Sequence, residues 1–458
     1  MLLSDLQGLR VGVWGFGREG QALLGAMRSR GVTPAAITVH TDLPIDGDAA
    51  VGDSLTCGYE VSFVSEQTGL DALTQCEVVV RSPGVSIYGD GYKQIVAAGV
   101  RLTTGTNLWL AELPSNVTTV AVTGTKGKST TASLIAHLAR AADANVVLAG
   151  NIGTPLLATA MPAAGSIAVL ELSSFQLADL TERVSLAVVL NVYREHLDWH
   201  GDEQTYRSDK LRLADAKLSE RVILNAGEPP LETLGAQRPD AIWFGDQRGF
   251  HLSDDAIVDS ADDEIVAITS IPLTGIHNAL NTCAALAACE ALGLHIGDVD
   301  DELQSFAPLP HRLQTLPTDD GRTWVNDSIS TTPESTIAAL ESFKGRAVTL
   351  LVGGFERAQQ FDELCKRISS STEAIRVVGL PATGERIIQQ IGGGAMGFGH
   401  VSLLKADDLK MAVEIAAEVT PTGGVVLLSP AAPSFGQFRD FEERGDRFTQ
   451  LAQALTSD

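Results

Sequence analysis

The amino-acid sequence predicts an α/β protein of three domains with mostly parallel sheets, and two observations support this prediction. Short apolar runs typical of buried strands alternate with helical patterns along the chain, and this order favours a doubly wound, parallel sheet. The chain has 458 residues, which is too long for one hydrophobic core and indicates about three domains.

The positions of the strand-like runs predict where the domains begin and end. The runs lie at residues 9–14, 36–40, 77–85, 120–122, 167–172, 186–192, 221–225, 323–327, 347–354, 375–380 and 424–430. Pro114 breaks the pattern just before the fourth run, and a Pro-Leu-Pro sequence at 308–310 precedes the eighth. We therefore expect domains over residues 1–112, 113–310 and 311–458.

Two stretches differ from this alternation. The polar, acidic stretch at 253–264 contains only short apolar runs, and it predicts exposed loops or small antiparallel strands. The stretch at 438–455 has the pattern expected of a last helix. Both stretches are compatible with an otherwise parallel architecture.

The charge balance limits the kinds of partner. The chain has 33 basic and 57 acidic residues, a formal net charge of −24, so its overall field repels nucleic acid and anionic membranes. No apolar run reaches the roughly 18–20 residues that a membrane span requires. The five cysteines are scattered without C-x-x-C spacing, which favours reduced thiols. We expect a cytoplasmic monomer that does not bind nucleic acid and does not insert into a membrane.

Residues 119–131 form the most informative motif, Thr-Val-Ala-Val-Thr-Gly-Thr-Lys-Gly-Lys-Ser-Thr-Thr. A strand pattern leads through a glycine turn into a helical pattern, as in loops that hold nucleotide phosphates with backbone N–H groups. There Lys128 would contact the β- and γ-phosphates and the Ser129 hydroxyl would bind Mg²⁺. Val122 stands where the first glycine usually lies, so Gly124 makes this a shortened variant. Lys and Ser together at the helix start disfavour an ordinary glycine turn.

A second glycine turn, Gly15-Phe-Gly-Arg-Glu-Gly20, follows the first strand and has the form of a dinucleotide fingerprint. The acidic residue expected about 20 positions later would be Asp42. No catalytic set for a nicotinamide cofactor stands out, so we favour a turn that holds the diphosphate of another nucleotide. A dehydrogenase is the alternative, and it would change nicotinamide absorbance without using ATP.

Three polar residues follow or lie near strand-like runs of the central segment. Glu171 ends one run, where a carboxylate could help to hold Mg²⁺, although a strand-end glutamate can also face solvent. His196 follows the next run at the sheet edge where α/β folds bind ligands, but a lone histidine is more often structural. Lys210 lies in a helical pattern and on general grounds would be a surface lysine.

Four further residues suit the recognition of a nucleotide. Asn278 and Asn281 share one face of an alanine-rich helix, and their amides can both donate to and accept from an adenine edge. The guanidinium of Arg312 suits phosphate oxygens, and Asp327 lies at the end of a strand in the third segment.

These blocks, in this order, resemble the Mur ligase family of ATP-dependent enzymes, which build the stem peptide of the bacterial cell wall precursor. The matching motifs are Gly-Thr-Lys-Gly-Lys-Ser-Thr at 124–130, Gly-Asn-Ile-Gly-Thr-Pro at 150–155, Glu-Leu-Ser-Ser-Phe-Gln-Leu at 171–177, His-Asn-Ala-Leu-Asn at 277–281, Pro-His-Arg at 310–312 and Asn-Asp-Ser at 326–328. The block Leu-Ser-Pro-Ala-Ala-Pro-Ser-Phe-Gly-Gln-Phe-Arg-Asp-Phe at 428–441 is similar to the MurD type, which adds glutamate.

The resemblance implies a Rossmann-like UDP-binding domain, a central P-loop-like ATPase and a C-terminal Rossmann-like domain that brings the amino acid. It also implies that ATP phosphorylates the carboxylate of UDP-N-acetylmuramoyl-L-alanine and that the amine of glutamate then displaces phosphate. A carboxylate and a triphosphate repel each other, so two Mg²⁺ ions and Lys128 would neutralise both. Closure of the domains would protect the acyl phosphate from water.

The same resemblance implies a role for each matching residue. Lys128, His196 and Lys210 would be catalytic, and a carbamate on Lys210 would make it an anionic Mg²⁺ ligand. Ser129 and Glu171 would hold the Mg²⁺ of ATP, and His196 the second ion. The other ATP-binding positions would be Gly124, Thr125, Lys126, Gly127, Thr130, Asn278, Asn281, Arg312 and Asp327. The positions for the UDP-sugar and for glutamate would be Gly15, Gly17, Arg18, Thr41, Asn151, Thr331, Arg357, Ser434, Phe435 and Phe441.

The chain departs from the usual MurD pattern beside the glutamate positions. The usual Asp-Ser-Lys-Ala-Thr-Asn is Asp-Ser-Ile-Ser-Thr-Thr at 327–332, and Arg357 replaces a lysine. These changes move the cations that would bind glutamate's carboxylates. The sequences at 14–20 and 327–333 resemble a branch that adds L-glutamate, which we favour over D-glutamate. A folylpolyglutamate-type ligase and a non-catalytic nucleotide-binding protein are more distant alternatives.

Overall fold

The computed structural model describes residues 1–41, 56–150, 154–273, 275–307, 309–356, 359–392, 400–434 and 436–456, without the side chains of Glu66, Glu334 and Thr456. Asp42, Asn151, Arg357 and Phe435, which the sequence predictions named, lie outside the described residues. The chain forms two compact units, Met1–Phe306 and Ala307–Asp458. The division at 112/113 and 310/311 into three domains stays a prediction.

The first sheet of the Met1–Phe306 unit lies at its N-terminal end. Its strands are β1 (Arg10–Trp14), β2 (Ala36–His40), β3 (Ser62–Val64), β4 (Val78–Arg81) and β5 (Arg101–Thr104). The described helices of this part are α1 (Arg18–Ser29), α2 (Glu66–Leu73), α3 (Asp90–Ala97) and α4 (Gly105–Ala111), with a 3-10 helix at Leu3–Leu6. The strands pair in parallel in the order β3-β2-β1-β4-β5.

The second sheet of this unit is also parallel, in the order β11-β10-β9-β6-β8-β7. Its strands are β6 (Thr118–Thr123), β7 (Val146–Gly150), β8 (Ile167–Glu171), β9 (Val184–Val189), β10 (Ser219–Asn225) and β11 (Ile242–Phe244). The helices are α5 (Lys128–Ala141), α6 (Ser174–Leu177), α7 (Leu197–His200), α8 (Glu203–Leu211), α9 (Pro229–Gly235), α10 (Ile276–Ala291) and α11 (Val299–Gln304), with 3-10 helices at Leu156–Ala158, Arg212–Ala214 and Ile268–Ser270.

Burial on both faces explains the apolar character of the central strand β6. Val120 and Val122 pack in one hydrophobic cluster with residues of α5 and α10, and Ala121 packs in another cluster. A parallel strand covered on both faces has a continuous apolar run instead of an alternating one. The covered sheet holds the carboxyl end of β6 in a fixed position at the start of the loop 124–127.

The acidic stretch at 253–264 belongs to a small antiparallel sheet. Its strands are β12 (His251–Ser253), β13 (Ala256–Val258) and β14 (Glu264–Ala267). The prediction of small antiparallel strands is therefore confirmed at this position. No described helix combines the length and apolar character that a membrane span needs.

The Ala307–Asp458 unit contains its own sheet, in the order β15-β16-β20-β17-β18-β19 and parallel apart from the β15–β16 pair. Its strands are β15 (Gln314–Thr315), β16 (Thr323–Asn326), β17 (Val348–Gly354), β18 (Ile375–Ala382), β19 (Val401–Lys405) and β20 (Val425–Leu428). The described helices are α12 (Pro333–Glu341), α13 (Asp362–Ser369), α14 (Thr383–Gly392), α15 (Leu409–Val419) and α16 (Phe441–Thr456).

The predicted α/β class with mostly parallel sheets is confirmed, and the last helix shows one difference. It begins at Phe441, not at residue 438. The Asp440 carboxylate accepts a hydrogen bond from the Glu443 N–H at 2.9 Å, and the Glu443 carboxylate accepts one from the Arg439 N–H at 2.7 Å. This reciprocal capping of the helix start fixes the boundary after Asp440.

Candidate active site

The loop between β6 and α5 requires glycine at Gly127. This residue has φ +84°, and a Cβ atom there would lie 2.4 Å from Oδ1 of Asn281. The left-handed backbone makes any side chain strained here, and a Cβ atom would force the Asn281 side chain to move. The close approach places Asn281 on α10, one of the predicted ATP-binding residues, directly against the loop. Its Nδ2 donates a hydrogen bond to Oδ1 of Asn278 at 3.2 Å, so the two predicted asparagines lie together.

Two lysines converge on one carbonyl of this loop. Nζ of Lys128 and Nζ of Lys210 each donate a hydrogen bond to the Gly124 oxygen at 2.9 Å. Lys210 is only 2% exposed, so the surface position expected for a lysine on general grounds is wrong. Burial lowers the pKa of Lys210 well below its ordinary value, and the positive charge of Lys128 lowers that pKa further. The amine of Lys210 is therefore neutral, and hence nucleophilic, in a larger fraction of molecules than the amine of a surface lysine.

A buried hydroxyl and carboxylate lie at the start of α5. Oγ of Ser129 donates a hydrogen bond to Oε2 of Glu171 at 2.6 Å. Glu171 is 1% exposed, because β8 pairs with β6 in a register that places it beside Val122. The alternative prediction, in which Glu171 faces solvent at the end of the strand, is therefore wrong. Both groups offer the oxygen donors that Mg²⁺ prefers.

His196 lies after β9 and immediately before α7, with a left-handed backbone at φ +55°. Its ring centroid is 4.9 Å from that of Phe175. Partial burial lowers the pKa of His196, although the Glu195 carboxylate, 3.6 Å from Nε2, opposes this. A neutral imidazole keeps a lone pair for a metal ion.

The donor set tests whether magnesium suits this site. Among the described residues, no group of three His, Cys, Asp or Glu side chains could hold a metal ion. Mg²⁺ commonly binds through one or two protein oxygens, with water and substrate phosphates as its other ligands. The oxygen pair of Ser129 and Glu171 beside this glycine loop therefore fits Mg²⁺ better than a transition metal.

The structure adds loop contacts that the sequence predictions did not include. The amide of Asn191 accepts from the Lys126 N–H at 2.8 Å and donates to the Lys126 oxygen at 3.0 Å. Nζ of Lys126 contacts Oε1 of Glu195 at 2.8 Å, and the hydroxyls of Thr125 and Tyr206 lie 2.7 Å apart. Asn191 and Glu195 follow β9 in the same stretch as His196. The sequence could have indicated both residues, because they follow a strand at the carboxyl edge of a parallel sheet, where α/β folds bind ligands.

A polar network, buried at His200, Asp209 and Ser174, contacts the helix that carries Lys210. Nδ1 of His200 lies 2.7 Å from Oδ2 of Asp209, and its Nε2 lies 3.0 Å from Oγ of Ser174. The Tyr88 hydroxyl donates to the same Asp209 carboxylate at 2.8 Å. Burial and the Asp209 contact raise the pKa of Tyr88, which keeps the phenol protonated as a donor. Neighbouring Lys210 is thus part of a firmly held helix.

The predicted UDP-sugar residues lie at the carboxyl ends of β1 and β2. Gly15 has φ +94°, and its carbonyl accepts a hydrogen bond from Oγ of Ser82 at 2.8 Å. Gly17 is the residue before α1, and Arg18 is the first residue of that helix. Thr41 is buried, and its N–H donates to the Val64 oxygen. These residues form a glycine turn and a helix start at one sheet edge, the arrangement that binds nucleotide phosphates.

Asp327 and Arg312 belong to the Ala307–Asp458 unit. Asp327 is 3% exposed and accepts hydrogen bonds from Oγ of Ser429 at 2.8 Å and from the Leu313 N–H at 3.2 Å. Burial raises the pKa of Asp327 to about 6, although the hydrogen bonds and the positive charge of Arg312 oppose this. Nε of Arg312 is buried and has no hydrogen-bond partner within the described part of the chain.

The Tm of Asp327→Asn relative to the wild type should be higher at about pH 7 than at about pH 5. The folded-state pKa of about 6 lies above the ordinary carboxyl value of 3.8. Between these values the unfolded chain has lost a proton that the folded protein keeps, so rising pH destabilises the wild type. Thermal unfolding of both proteins measures the difference in Tm. A difference in Tm that shrinks with rising pH would contradict this account. The control is Asp407→Asn, at an exposed acid of the same unit.

The predicted glutamate residues that the structure describes follow strands of the second unit. Thr331 comes after β16, and its oxygen accepts a hydrogen bond from Nε2 of Gln359 at 2.9 Å. Ser434 comes after β20 and is buried. Phe441 begins α16, and its oxygen accepts from Oγ of Ser328 at 2.8 Å. Since β16 and β20 are adjacent and parallel, Thr331 and Ser434 follow the same edge of the sheet.

A glycine loop with two lysines on one of its carbonyls and a Ser–Glu pair at its helix is the arrangement expected of an enzyme that uses a nucleoside triphosphate. Comparison with known proteins gives the family. Residues 122–289 match the Mur ligase middle domain, and residues 311–432 match the Mur ligase glutamate ligase domain. The chain belongs to the Mur ligase family of ATP-dependent ligases, and the resemblance found in its sequence is confirmed.

Curated relatives match the chain over its length. A protein of Xanthomonas euvesicatoria pv. vesicatoria is 41% identical over 463 residues, which cover 99% of this chain and 97% of the relative. A protein of Micromonospora sp. is 40% identical over 480 residues, which cover 99% of this chain and 98% of the relative. Both relatives are named UDP-N-acetylmuramoyl-L-alanine–L-glutamate ligase.

Solved structures of other family members share the fold. The UDP-N-acetylmuramate–alanine ligase MurC of Thermotoga maritima aligns with a TM-score of 0.58 at 16% identity, covering 98% of this chain and 100% of that one. The MurF ligase of the same organism, solved with ADP, aligns with a TM-score of 0.57 at 18% identity, covering 99% and 96%. At these identities the alignments show a common fold.

Proposed function

We propose that this enzyme joins L-glutamate to UDP-N-acetylmuramoyl-L-alanine at the expense of ATP. The convergence of Lys128 and Lys210 on the Gly124 carbonyl, beside the buried Ser129–Glu171 pair, carries the proposal of phosphoryl transfer. The choice of substrates and of the L-enantiomer is supported by relatives of about 40% identity that carry this name and cover the whole chain.

The reaction has two steps. The γ-phosphoryl group of ATP passes to an oxygen of the alanyl carboxylate, and ADP leaves. The amine of glutamate then attacks the acyl carbon, loses a proton and forms the amide bond while phosphate leaves. Lys128 and the backbone N–H groups of the loop hold the phosphates and stabilise the charge that develops on them.

Two Mg²⁺ ions would complete the site. Bound there, magnesium supplies positive charge that reduces the repulsion between the carboxylate and the triphosphate. Ser129 and Glu171 suit the ion held with ATP, whereas His196 and a carbamate on Lys210 suit the second ion. The low pKa of buried Lys210 supports the carbamate, because the neutral amine is the form that combines with carbon dioxide.

The remaining positions are proposed from their place in the sequence motifs and in each unit. Asn278, Asn281, Arg312 and Asp327 would bind the adenylyl part of ATP. Gly15, Gly17, Arg18 and Thr41 would bind the UDP-sugar, and Thr331, Ser434 and Phe441 would bind glutamate. The five free cysteines support a reducing, cytoplasmic location, and we expect a monomer.

A ligation assay tests this proposal. The purified protein is supplied with magnesium, ATP and UDP-N-acetylmuramoyl-L-alanine, and with L- or D-glutamate in separate reactions. We expect phosphate release and a product heavier by one glutamyl residue with the L-enantiomer. Ligation of D-glutamate in preference to L-glutamate would overturn the assigned enantiomer. Absence of ATP use with both would overturn the proposed reaction.

A further inference from the structure

Arg444 is a fully buried cation near the start of α16. It is 1% exposed, although arginine is one of the residues least often found in a protein interior. Its Nε and Nη2 donate hydrogen bonds to Oγ and O of Ser328 at 3.0 and 2.8 Å, and Nη1 donates to the Ala432 oxygen at 3.0 Å. The guanidinium is therefore well satisfied by hydrogen bonds.

The charge of Arg444, in contrast, is not balanced by a neighbour. Its hydrogen-bond acceptors are a hydroxyl and two backbone carbonyls, and no carboxylate of the described residues forms an ion pair with it. Burial lowers the pKa of Arg444 to about 9, which still leaves the guanidinium charged at neutral pH. A buried charge without a counter-ion is costly, so it indicates that an anion completes this region.

The hydrogen bonds of Arg444 join the segments that carry the proposed glutamate positions. Ser328 lies three residues before Thr331, and its Oγ donates onward to the Phe441 oxygen at 2.8 Å. Ala432 lies two residues before Ser434. One guanidinium thus connects the loops after β16 and β20 with the start of α16.

The end of β17 packs against the same group. A Cβ atom at Gly354 would lie 3.1 Å from Nη1 of Arg444 and 2.2 Å from the Pro433 oxygen. Gly354 has φ +156°, and the next N–H, of Phe355, donates to the Pro433 oxygen at 2.7 Å. The guanidinium is consequently enclosed by three strand ends on the side of the sheet edge where ligands of α/β folds bind.

We propose that Arg444 is a positioning residue of the amino-acid pocket and that its uncompensated charge selects a dicarboxylic amino acid over the corresponding amide. The inference rests on the proposed glutamate ligation. In a poorly hydrated interior, a fixed charge acts over several ångströms on the side-chain carboxylate of the substrate. Its hydrogen bonds meanwhile hold the Ser328 and 432–434 loops in the arrangement that receives the substrate.

Three variants test this inference by their preference for L-glutamate over L-glutamine. Arg444→Met removes the charge, Arg444→Gln removes it but keeps a hydrogen-bond donor, and Arg447→Met removes an exposed charge from the same helix as the matched control. For each purified protein, kcat and KM are measured for both amino acids at saturating ATP and UDP-N-acetylmuramoyl-L-alanine. Circular dichroism and thermal unfolding check that each variant is folded.

We expect Arg444→Met to lower the ratio of kcat/KM for glutamate to that for glutamine by about 10-fold or more, mainly through KM for glutamate. Arg444→Gln should lower the ratio to a similar extent, and Arg447→Met should leave it unchanged. A defect of structure alone lowers both substrates equally, and that outcome would overturn the inference, as would an unchanged ratio in Arg444→Met.

If one of the two uncharged variants does not fold, the other decides. If neither folds, Arg444 acts through the stability of the fold, and the inference is overturned. A wild-type enzyme that ligates neither amino acid contradicts the proposed function itself. A wild type that ligates glutamate while the uncharged variant keeps the preference contradicts the role of Arg444 alone.

Discussion

Phosphate release should fall by about 1,000-fold or more when Lys128 is replaced with alanine. Nζ of Lys128 already lies against the Gly124 and Thr125 oxygens, at 2.9 and 3.0 Å, so the cation is held at the loop by the fold. Without it, the negative charge that develops during phosphoryl transfer loses a fixed counter-charge in a partly buried site.

A malachite-green assay for phosphate with all substrates present measures this effect. Lys217→Ala, at an exposed lysine of the same unit, is the matched control and should retain wild-type turnover. Turnover of Lys128→Ala within about 3-fold of the wild type would contradict the assignment of residues 124–130 as the triphosphate loop.

Lys210→Ala should be nearly inactive and should recover part of its activity in acetate or formate. The lysine is 2% exposed, and burial beside Lys128 lowers the pKa of Lys210, which favours a carbamate on its amine. Alanine removes that anionic group, and a small carboxylate has the size and charge to replace its oxygens in the space that the side chain leaves.

Two measurements check the role of Lys210. The first is the turnover of Lys210→Ala as a function of acetate concentration, with chloride at equal ionic strength as the control. The second is the carbon-13 spectrum of the wild type in labelled bicarbonate, which should contain a carbamate signal that the variant lacks. Full activity without added carboxylate, or an identical spectrum for both proteins, would refute the carbamate.

The central strands were predictable from sequence because they are buried on both faces. The runs that became β6, β8 and β17 are almost continuously apolar, and every residue of β8 is buried. Edge strands lack this signal. β3 (Ser62–Val64) and β15 (Gln314–Thr315) are short and partly exposed, and they are strands because a neighbouring strand offers hydrogen bonds.

The candidate site was predictable from the sequence where one motif contains both a glycine turn and residues suited to binding phosphate or a metal ion. The loop at 124–130 can be recognised from its glycines, lysines and serine. Its contact with Asn281, in contrast, joins residues about 150 positions apart and depends on packing. The burial of Lys210 and the His200–Asp209 pair likewise depend on tertiary structure.

Arg444 is the clearest example of a residue whose burial could not be predicted from the sequence. It lies in the acidic and basic sequence Glu-Glu-Arg-Gly-Asp-Arg at 442–447, which has the composition of a solvent-exposed helix. Only the packing of α16 distinguishes buried Arg444 from exposed Arg447.

Transfer of oxygen-18 from the substrate carboxylate tests the central claim most directly. UDP-N-acetylmuramoyl-L-alanine labelled in both alanyl carboxylate oxygens is converted with ATP, magnesium and L-glutamate, and the released phosphate is analysed by phosphorus-31 NMR. If the carboxylate attacks the γ-phosphorus, one labelled oxygen appears in each phosphate formed. Unlabelled phosphate alongside complete amide formation would contradict activation of the carboxylate by phosphoryl transfer.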